Sequence, residues 1–457
     1  MNTGGVNLPP GPRGLPFLGN VHQVPKTNMW TTFSDWASIY GNIISLPVRD
    51  IFYFRIIGRH FIVLSTAEAA NELLVKRSSI YSDRPRFVMA GRLIGRETSL
   101  IFSSYGPRLR QCRRMLHSAL NPQVCYTYNA LLTNEAQLFV DSLVACQGPV
   151  DPSTYIRRFA GRTLIHIAYG SFTDAEGELL INLAHELALL TDQAVEPGRW
   201  LVDSFPFLRH IPSWFPGASF QKWAQYARVR NTATLHLPVQ LVKKKMVRSF
   251  ENQVAGTATT SFTSKLISDM TVDGHLLLPV SMQTAAVLEL FFLMMALHPD
   301  IQHKAQSEID SLIGPGLSPG FEHRSALPYV ELIIKELYRY HPVAPLVPHA
   351  TTQADVYRGR HIPRGTGVFV NIWSICHETR VYPHPERFWP ERYLEASKSS
   401  SSYPGTNPDP AQWAFGFGRR ICPGQCLADS MVYICIVKTL AAFQIGKATI
   451  RKPLVVV

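Results

Sequence analysis

Phe415-Gly416-Phe417-Gly418-Arg419-Arg420-Ile421-Cys422-Pro423-Gly424 is a glycine-rich run that carries a cysteine near its end and opens onto the apolar segment 425–443. The following segment reads as a helix. Cys422 therefore stands where the unpaired N–H groups and dipole of a helix N-terminus stabilise a thiolate. A thiolate is a soft, electron-rich ligand suited to iron. Gly416, Gly418 and Gly424 let the backbone turn tightly and approach a flat ligand, and the Arg420 guanidinium can pair with a carboxylate. Two blander readings stay open. A glycine-rich turn around a buried cysteine needs no ligand. A zinc site needs four, and Cys422 with Cys426 supplies two at i, i+4 with no matching His or Cys pair elsewhere, so Cys426 reads more simply as a core residue.

Outward from this run, residues 330–340 form a helix ended by His341-Pro342. Glu336 and Arg339 share one of its faces at i, i+3 and can form an ion pair, a spacing usually found on solvated surfaces. Residues 355–371 alternate like a β-hairpin around Pro363-Arg364-Gly365, and Ser397 to Ser402 makes a polar loop. From residue 121 to about 298 the periodicity is mostly helical, with a capping box at Thr173 and Glu176. Residues 197–217 break it with four prolines and the aromatics Trp200, Phe205, Phe207, Trp214 and Phe215. A lid, a membrane-facing patch and a loop tucked onto the core all fit that composition. Near the N-terminus, 51–57 and 61–64 are strand-like runs around Gly58-Arg59-His60, followed by a capping box at Ser65 and Glu68. Pro9, Pro10 and Pro12 stiffen the leading segment.

The chain has 457 residues, 46% of them hydrophobic and 17% charged, which excludes dominant disorder. At roughly 150 residues per domain the length suggests about three units. A long helical middle with short β pieces near both ends argues instead for one helix-dominated α+β unit. Seven thinly spread cysteines make no disulfide framework. No secretory signal is visible, and the longest apolar run, 285–297, is interrupted by Glu289, which suits a core helix. The net charge of +12 admits nucleic acid, an anionic membrane or an acidic protein. No compact Lys/Arg run with interleaved aromatics accompanies it, so nucleic acid is set aside.

The run 415–424 resembles the haem-binding signature of cytochrome P450 enzymes at Phe415, Gly416, Gly418, Arg420, Cys422 and Gly424. The resemblance implies haem b, with Cys422 as the axial thiolate and metal ligand and Arg420 on a propionate. Glu336-Leu337-Tyr338-Arg339, followed by Pro342, Pro345 and Pro348-His349, looks like the family's Glu-x-x-Arg element, with His349 as a second propionate partner. Phe388-Trp389-Pro390-Glu391-Arg392-Tyr393 resembles the motif whose arginine completes a structural triad, here Glu336, Arg339 and Arg392. Residues 105–114 look like the propionate-binding helix, with Arg113 in the charged position and Leu109 where a tryptophan is usual. By this resemblance residues 1–20 are a leading segment without the usual membrane anchor, and 21–457 are one haem-thiolate domain whose C-terminus is short.

One departure concerns oxygen activation. The family's small-Gly-x-acid-Thr element falls on residues 279–284, where Met282 leaves the acid absent and Thr284 remains as the catalytic hydroxyl. Asp273-Gly274 and Pro279 shorten the helix upstream. The implied function is a monooxygenase oxidising an apolar small molecule with O2 and NADPH-derived electrons. Its electron donor would be NADPH-cytochrome P450 reductase, with cytochrome b5 as a further partner. The leading segment and Tyr81-Ser-Asp-Arg-Pro85 look most like fungal members of secondary metabolism, acting on terpenoids, polyketides or indole-like compounds. The implied place is the cytosolic face of the endoplasmic reticulum membrane, with peripheral contact, or the cytosol itself. The missing acid supports an alternative, a haem-binding protein with impaired O2 activation, isomerase-type or inactive.

Overall fold

The protein is described by a computed structural model over residues 7–25, 27–40, 50–251, 261–268, 283–394 and 407–448. Helix α1 (Met29–Tyr40) lays Phe33 and Ala37 onto a sheet begun by β1 (Ile51–Ile56) and β2 (Arg59–Leu64). These strands are antiparallel, Ile51 opposite Leu64, and their turn is Ile57-Gly58, at φ +44° and +75°. Two residues at positive φ give a primed turn whose twist matches the strands, so Arg59 and His60, expected in the turn, belong to β2. Thr66, not Ser65, caps the next helical turn: its Oγ1 accepts the Ala69 N–H at 3.2 Å, and the chain then widens into a π-helical turn over Asn71–Lys76.

The helical bulk comprises α2 (Pro107–Leu120), α3 (Asn129–Val144), α4 (Ser153–Tyr169), α5 (Asp174–Val195), α6 (Ser219–Glu251), α7 (Gln283–Leu297), α8 (Pro299–Ile313) and α9 (Pro328–Tyr340). The expected capping box starts α5: Thr173 and Glu176 exchange hydrogen bonds of 3.1 and 3.3 Å. Strands β3 (Leu346–Ala350), β4 (Asp355–Tyr357), β5 (Arg360–Ile362) and β6 (Gly367–Asn371) follow. The hairpin expected around residues 363–365 turns earlier, at Arg358-Gly359, with φ +48° and +72°. Its strands β4 and β5 pair by themselves, while β6 leaves for the main sheet, parallel to β2 and antiparallel to β3. The sheet order is β1-β2-β6-β3.

The last helix, α10 (Gln425–Ala442), packs on α3, α7, α8 and α9. It is apolar nearly all round because it is enclosed nearly all round: Leu427, Met431, Val432, Ile434 and Ile436 are buried with Leu288, Phe291 and Met295 of α7. Among the described residues it is the one single helix long and apolar enough to cross a membrane, and most of that surface is already covered by the protein. Segment 197–217 divides. Trp200 stacks on Trp223 with ring centroids 4.5 Å apart, whereas Phe205, Phe207, Trp214 and Phe215 are exposed. Asp273-Gly274, residues 279–282 with Met282, Ser397 to Ser402 and the last residues from 449 lie outside the described residues.

Candidate functional site

The cysteine loop is held by glycine where the backbone demands it. Gly416 and Gly418 adopt φ +84° and +54°, and a Cβ on Gly418 would lie 2.1 Å from the Leu74 carbonyl oxygen, so the loop rests directly on the Asn71–Lys76 turn. Gly424 differs. Its φ of −96° suits any residue, and a Cβ there would meet Cys422 Sγ at an ordinary 3.9 Å. The Cys422 N–H donates to the Phe415 carbonyl at 2.8 Å, closing the loop, and the Phe415 ring sits edge-on to Tyr338 of α9 with centroids 5.3 Å apart. Burial pushes the Cys422 thiol up, against the opposing pull of the Gly424 N–H and the Arg113 guanidinium. The pocket thus leaves a free thiol protonated, and a cation bound at sulfur would reverse that balance.

Beside Cys422 runs a chain of positive groups. Arg113 of α2 donates to the Ile421 carbonyl at 2.8 Å and is lowered by burial, with Cys422 partly offsetting. Arg420 is buried and donates to three backbone carbonyls: Ser82 at 2.8 Å, Leu100 at 3.2 Å and Ser103 at 2.6 Å. Half-buried Arg84 donates to the carbonyls of Ile101, at 3.1 Å, and Pro348. Desolvation pulls Arg420 down to about 10; desolvation and then the Arg420 charge pull Arg84 down to about 9. The Asp83 charge partly offsets both shifts, but its Oδ1 is spent on the backbone N–H groups of Arg84 and Tyr105, and among the described residues it forms no ion pair with either arginine. His349 completes the group. Its Nδ1 lies 3.0 Å from the Tyr81 carbonyl and so carries the proton, while Nε2 is buried without a partner. Desolvation, Arg84 and Arg420 together press His349 down to about 3.

Removing cations from water against neutral carbonyls alone costs several kcal/mol each in the absence of a counter-charge. An anionic group that also carries a metal for the Cys422 sulfur would meet the demand left by Arg420, Arg84 and the unpartnered His349 Nε2. The residues present fit haem. The role of Arg84 is not visible in its local sequence, Tyr81-Ser-Asp-Arg-Pro85. Its enclosure comes from a bridge between Asp83 and Ala350 of β3, with the Ala350 N–H donating to Asp83 at 2.9 Å, a contact remote in sequence.

Glu336, Arg339 and Arg392 meet in a second charged cluster, all with side chains 0% exposed. Arg339 grips both Glu336 oxygens, through Nε at 2.9 Å and an Nη at 2.8 Å, and Arg392 Nε adds a bond of 3.1 Å. The Trp389 N–H and Tyr393 hydroxyl take the remaining acceptor capacity at 2.9 and 3.2 Å. The outer guanidinium nitrogens hold the carbonyls of Cys376, Pro383, His384, Pro385 and Arg387. This pins segment 376–392, from which Tyr382 bonds the Pro408 carbonyl at 2.8 Å and packs edge-on to Trp413, just ahead of the cysteine loop.

Thr284 is buried at the second position of α7, and among the described residues no hydrogen bond joins it to either cluster. An open cavity of about 1060 Å³ lies between α2 and the start of α10, lined by Leu109, Arg113, Arg114, Cys422 and Cys426. Leu109 is buried, whereas Arg108, Arg110 and Arg114 face solvent.

Residues 9–454 match the cytochrome P450 family. The cytochrome P450 monooxygenase claR of Ampulloclitocybe clavipes is 38% identical, over 98% of this chain and 81% of the relative. The cytochrome P450 monooxygenase COX1 of Coprinopsis cinerea is 34% identical over 98% and 86%, and cytochrome P450 monooxygenase 176 of Postia placenta is 35% identical over 97% and 84%.

Proposed function

This chain belongs to the cytochrome P450 family of haem-thiolate monooxygenases, and on that premise we propose that Cys422 is the axial ligand of haem b and that Arg84, Arg420, Arg113 and His349 hold its propionates. The bound haem supplies reductive use of O2 and transfer of one oxygen atom to a small-molecule substrate. The chain's own residues do the rest. Cys422 sits on a loop whose geometry Gly416 and Gly418 fix, so its sulfur is aimed before any ligand arrives. Arg420 and Arg84 would offer desolvated charge to the propionates of a bound haem, and Glu336, Arg339 and Arg392 brace the segment leading into the loop. Thr284 supplies a hydroxyl that accepts and passes a proton through Oγ1.

The substrate is an apolar compound of the secondary-metabolite kind, and the whole of 21–457 acts as one domain. The exposed basic side of α2, with Arg108, Arg110 and Arg114, suits an acidic reductase surface, in keeping with the NADPH-dependent reductase that such monooxygenases draw on. Exposed apolar side chains that gather on one side support peripheral membrane contact. The exposed Phe17 and Leu18 join the β1–β2 turn through the Gly19–Ile56 bridge, and Arg59, the first residue of β2, reaches the Asp203 carbonyl beside exposed Leu201, Phe205 and Phe207.

The observation that carries this reading is the run of enclosed cations, Arg84, Arg420 and Arg113, beside Cys422, all lowered by desolvation, Arg84 and Arg420 despite the charge of Asp83. Its test is the spectrum of dithionite-reduced protein with CO. A strongly red-shifted Soret band is expected, lost in Cys422→Ala and kept in Cys426→Ala. A folded, haem-loaded wild type without that band overturns the assignment of Cys422. Substrate-dependent NADPH consumption with matching O2 uptake is expected in the presence of a reductase; product without O2 uptake favours the isomerase-type alternative.

A further inference from the structure

Two adjacent backbone carbonyls aim the open cluster. The Tyr81 carbonyl lies 3.0 Å from His349 Nδ1, and the Ser82 carbonyl accepts from Arg420 Nε at 2.8 Å. They follow from the short helix Ser78–Tyr81, whose four residues are too few to be stable alone. Backbone bonds tie it to the chain after β3: the Thr352 N–H donates to the Ile80 carbonyl and the Ala350 N–H to the Asp83 carbonyl, each at 2.9 Å. A side chain makes a further tie. Tyr81 is 0% exposed, and its hydroxyl donates to Asp355 Oδ2, at the start of β4, at 2.9 Å. Arg77 fixes that carboxylate in turn, donating to the same oxygen at 2.9 Å, to the Val356 carbonyl at 2.8 Å and to Glu72 at 3.2 Å. Among the described residues Asp355 forms no hydrogen bond or ion pair with Arg84, Arg420 or His349.

We propose that Asp355 is a positioning residue for haem, acting through the Tyr81 hydroxyl on the two carbonyls that orient His349 and Arg420. The proposal rests on the assignment of those two groups to the propionates. Arg420 spends one N–H of each Nη on the carbonyls of Leu100 and Ser103, which leaves one N–H on each for a ligand carboxylate. Where these two point depends on Nε, and Nε is held by Ser82. His349 is aimed in the same way, because its Nδ1 bond to Tyr81 sets the direction of the bare Nε2. A displacement of residues 81–82 therefore misdirects both groups at once, as loss of outer-shell partners does at metal sites.

The Tyr81–Asp355 bond is suited to hold that backbone still. It is charge-assisted, and the Asp355 side chain is only 16% exposed, so water competes little for it. Its direction is fixed as well. Burial and then the Asp355 charge raise the Tyr81 hydroxyl, which keeps it protonated and donating, and the hydrogen bond to Asp355 raises Arg77, which keeps it a cation. A guanidinium and a phenol that both donate to one carboxylate oxygen have no reversed arrangement to exchange with.

The experiment follows equilibrium transfer of haem to apomyoglobin and the ferric–ferrous reduction potential in Tyr81→Phe, Asp355→Ala, Asp355→Asn and the double variant Tyr81→Phe with Asp355→Ala, beside urea midpoints of the haem-free proteins. Haem affinity should fall about 10-fold in Tyr81→Phe and in Asp355→Ala, at the low end of what outer-shell partners contribute, and the potential should shift in the same two. The double variant should bind haem no more weakly than Asp355→Ala, because both changes cut one bond. Asp355→Asn, whose amide oxygen still accepts from Tyr81, should recover most of the affinity. The proposal is overturned if Tyr81→Phe and Asp355→Ala lower only the urea midpoint while affinity and potential stay at wild-type values, or if their effects on affinity add. Arg420→Ala is the reference: if it too leaves haem affinity unchanged, the assignment of the cluster to haem falls, and if it alone lowers affinity, only the role of Asp355 falls. Tyr81→Phe removes one oxygen and keeps the ring, so it decides the matter even if Asp355→Ala fails to fold.

Discussion

Two arginine clusters lie in this molecule, and they are built on opposite plans. Around Glu336 each guanidinium has a carboxylate in direct contact: two close on the one Glu336 side chain, and their outer nitrogens are consumed by backbone carbonyls. Around Arg84 and Arg420 the same side chain is hydrogen-bonded by neutral carbonyls, with Asp83 attracting from beyond ion-pair distance, Arg113 nearby and a histidine nitrogen left bare. A closed cluster spends its interaction energy within the chain. An open one stores unmet electrostatic demand that a ligand can satisfy. The difference separates a structural brace from a binding site without reference to sequence motifs, and it predicts opposite responses to mutation.

The largest effect is expected at the brace. Glu336→Gln removes the only charge that answers Arg339 and Arg392 at the centre of their cluster, and breaking a buried pair on one side costs about 3–5 kcal/mol. Urea unfolding should show that loss with or without haem, and expression as soluble protein should fall with it. If Glu336→Gln is destabilised only in the haem-loaded state, the cluster is not a brace and the contrast fails.

At the open cluster the sign should differ between states. Arg84→Ala and Arg420→Ala each remove a desolvated cation, so the haem-free protein should be as stable as wild type or more stable. Haem affinity should fall by about 10- to 100-fold for each, the equivalent of losing a hydrogen bond to a charged group worth about 1.5–3 kcal/mol. Equilibrium transfer of haem to apomyoglobin measures this directly. A drop in haem-free stability comparable with that of Glu336→Gln would mean that Arg84 and Arg420 serve the fold, and the two clusters would then be alike.

The brace was the more legible of the two in the sequence, and the reason is physical. Glu336 and Arg339 are one helical turn apart, so their pairing follows from local geometry, and Arg392 comes with a short aromatic motif. The cysteine loop was legible for the same reason, since ten consecutive residues carry its turns, its N–H donors and its sulfur. Arg84 was not. Nothing within its neighbourhood in the chain distinguishes it from a surface arginine; its role depends on β3, whose Pro348 carbonyl and Ala350 N–H reach back to residues 83 and 84. The hairpin turns were displaced because Ile57 and Arg358 take positive φ, which neither residue type signals. Glycine at 424 was credited with a turn that it does not make. What composition and spacing register well is contact along the chain, and the binding cluster is made mostly of contacts across it.

His349 offers the finest test, because it couples the open cluster to pH. Its pKa in the folded protein is about 3, below the 6.5 of an ordinary histidine. The unfolded chain therefore binds the proton first, and the contribution of the neutral, buried imidazole to stability is complete above about pH 6.5 and is lost as pH falls toward 3. Between about pH 5.5 and 4 the slope approaches about 1.4 kcal/mol per pH unit for such a group. His377, lowered to about 4 by burial and by Arg339, adds a loss of the same sign. That background is common to wild type and His349→Gln, so the difference between their urea midpoints at pH 7 and pH 5.5 isolates residue 349. Wild type without haem should lose more stability on acidification than the variant. With haem bound the gap should narrow, since a propionate near Nε2 favours the imidazolium and lifts the pKa back toward the ordinary value. Equal slopes for wild type and His349→Gln in both states would place no anion at that nitrogen, and the open cluster would lose its histidine while keeping its arginines.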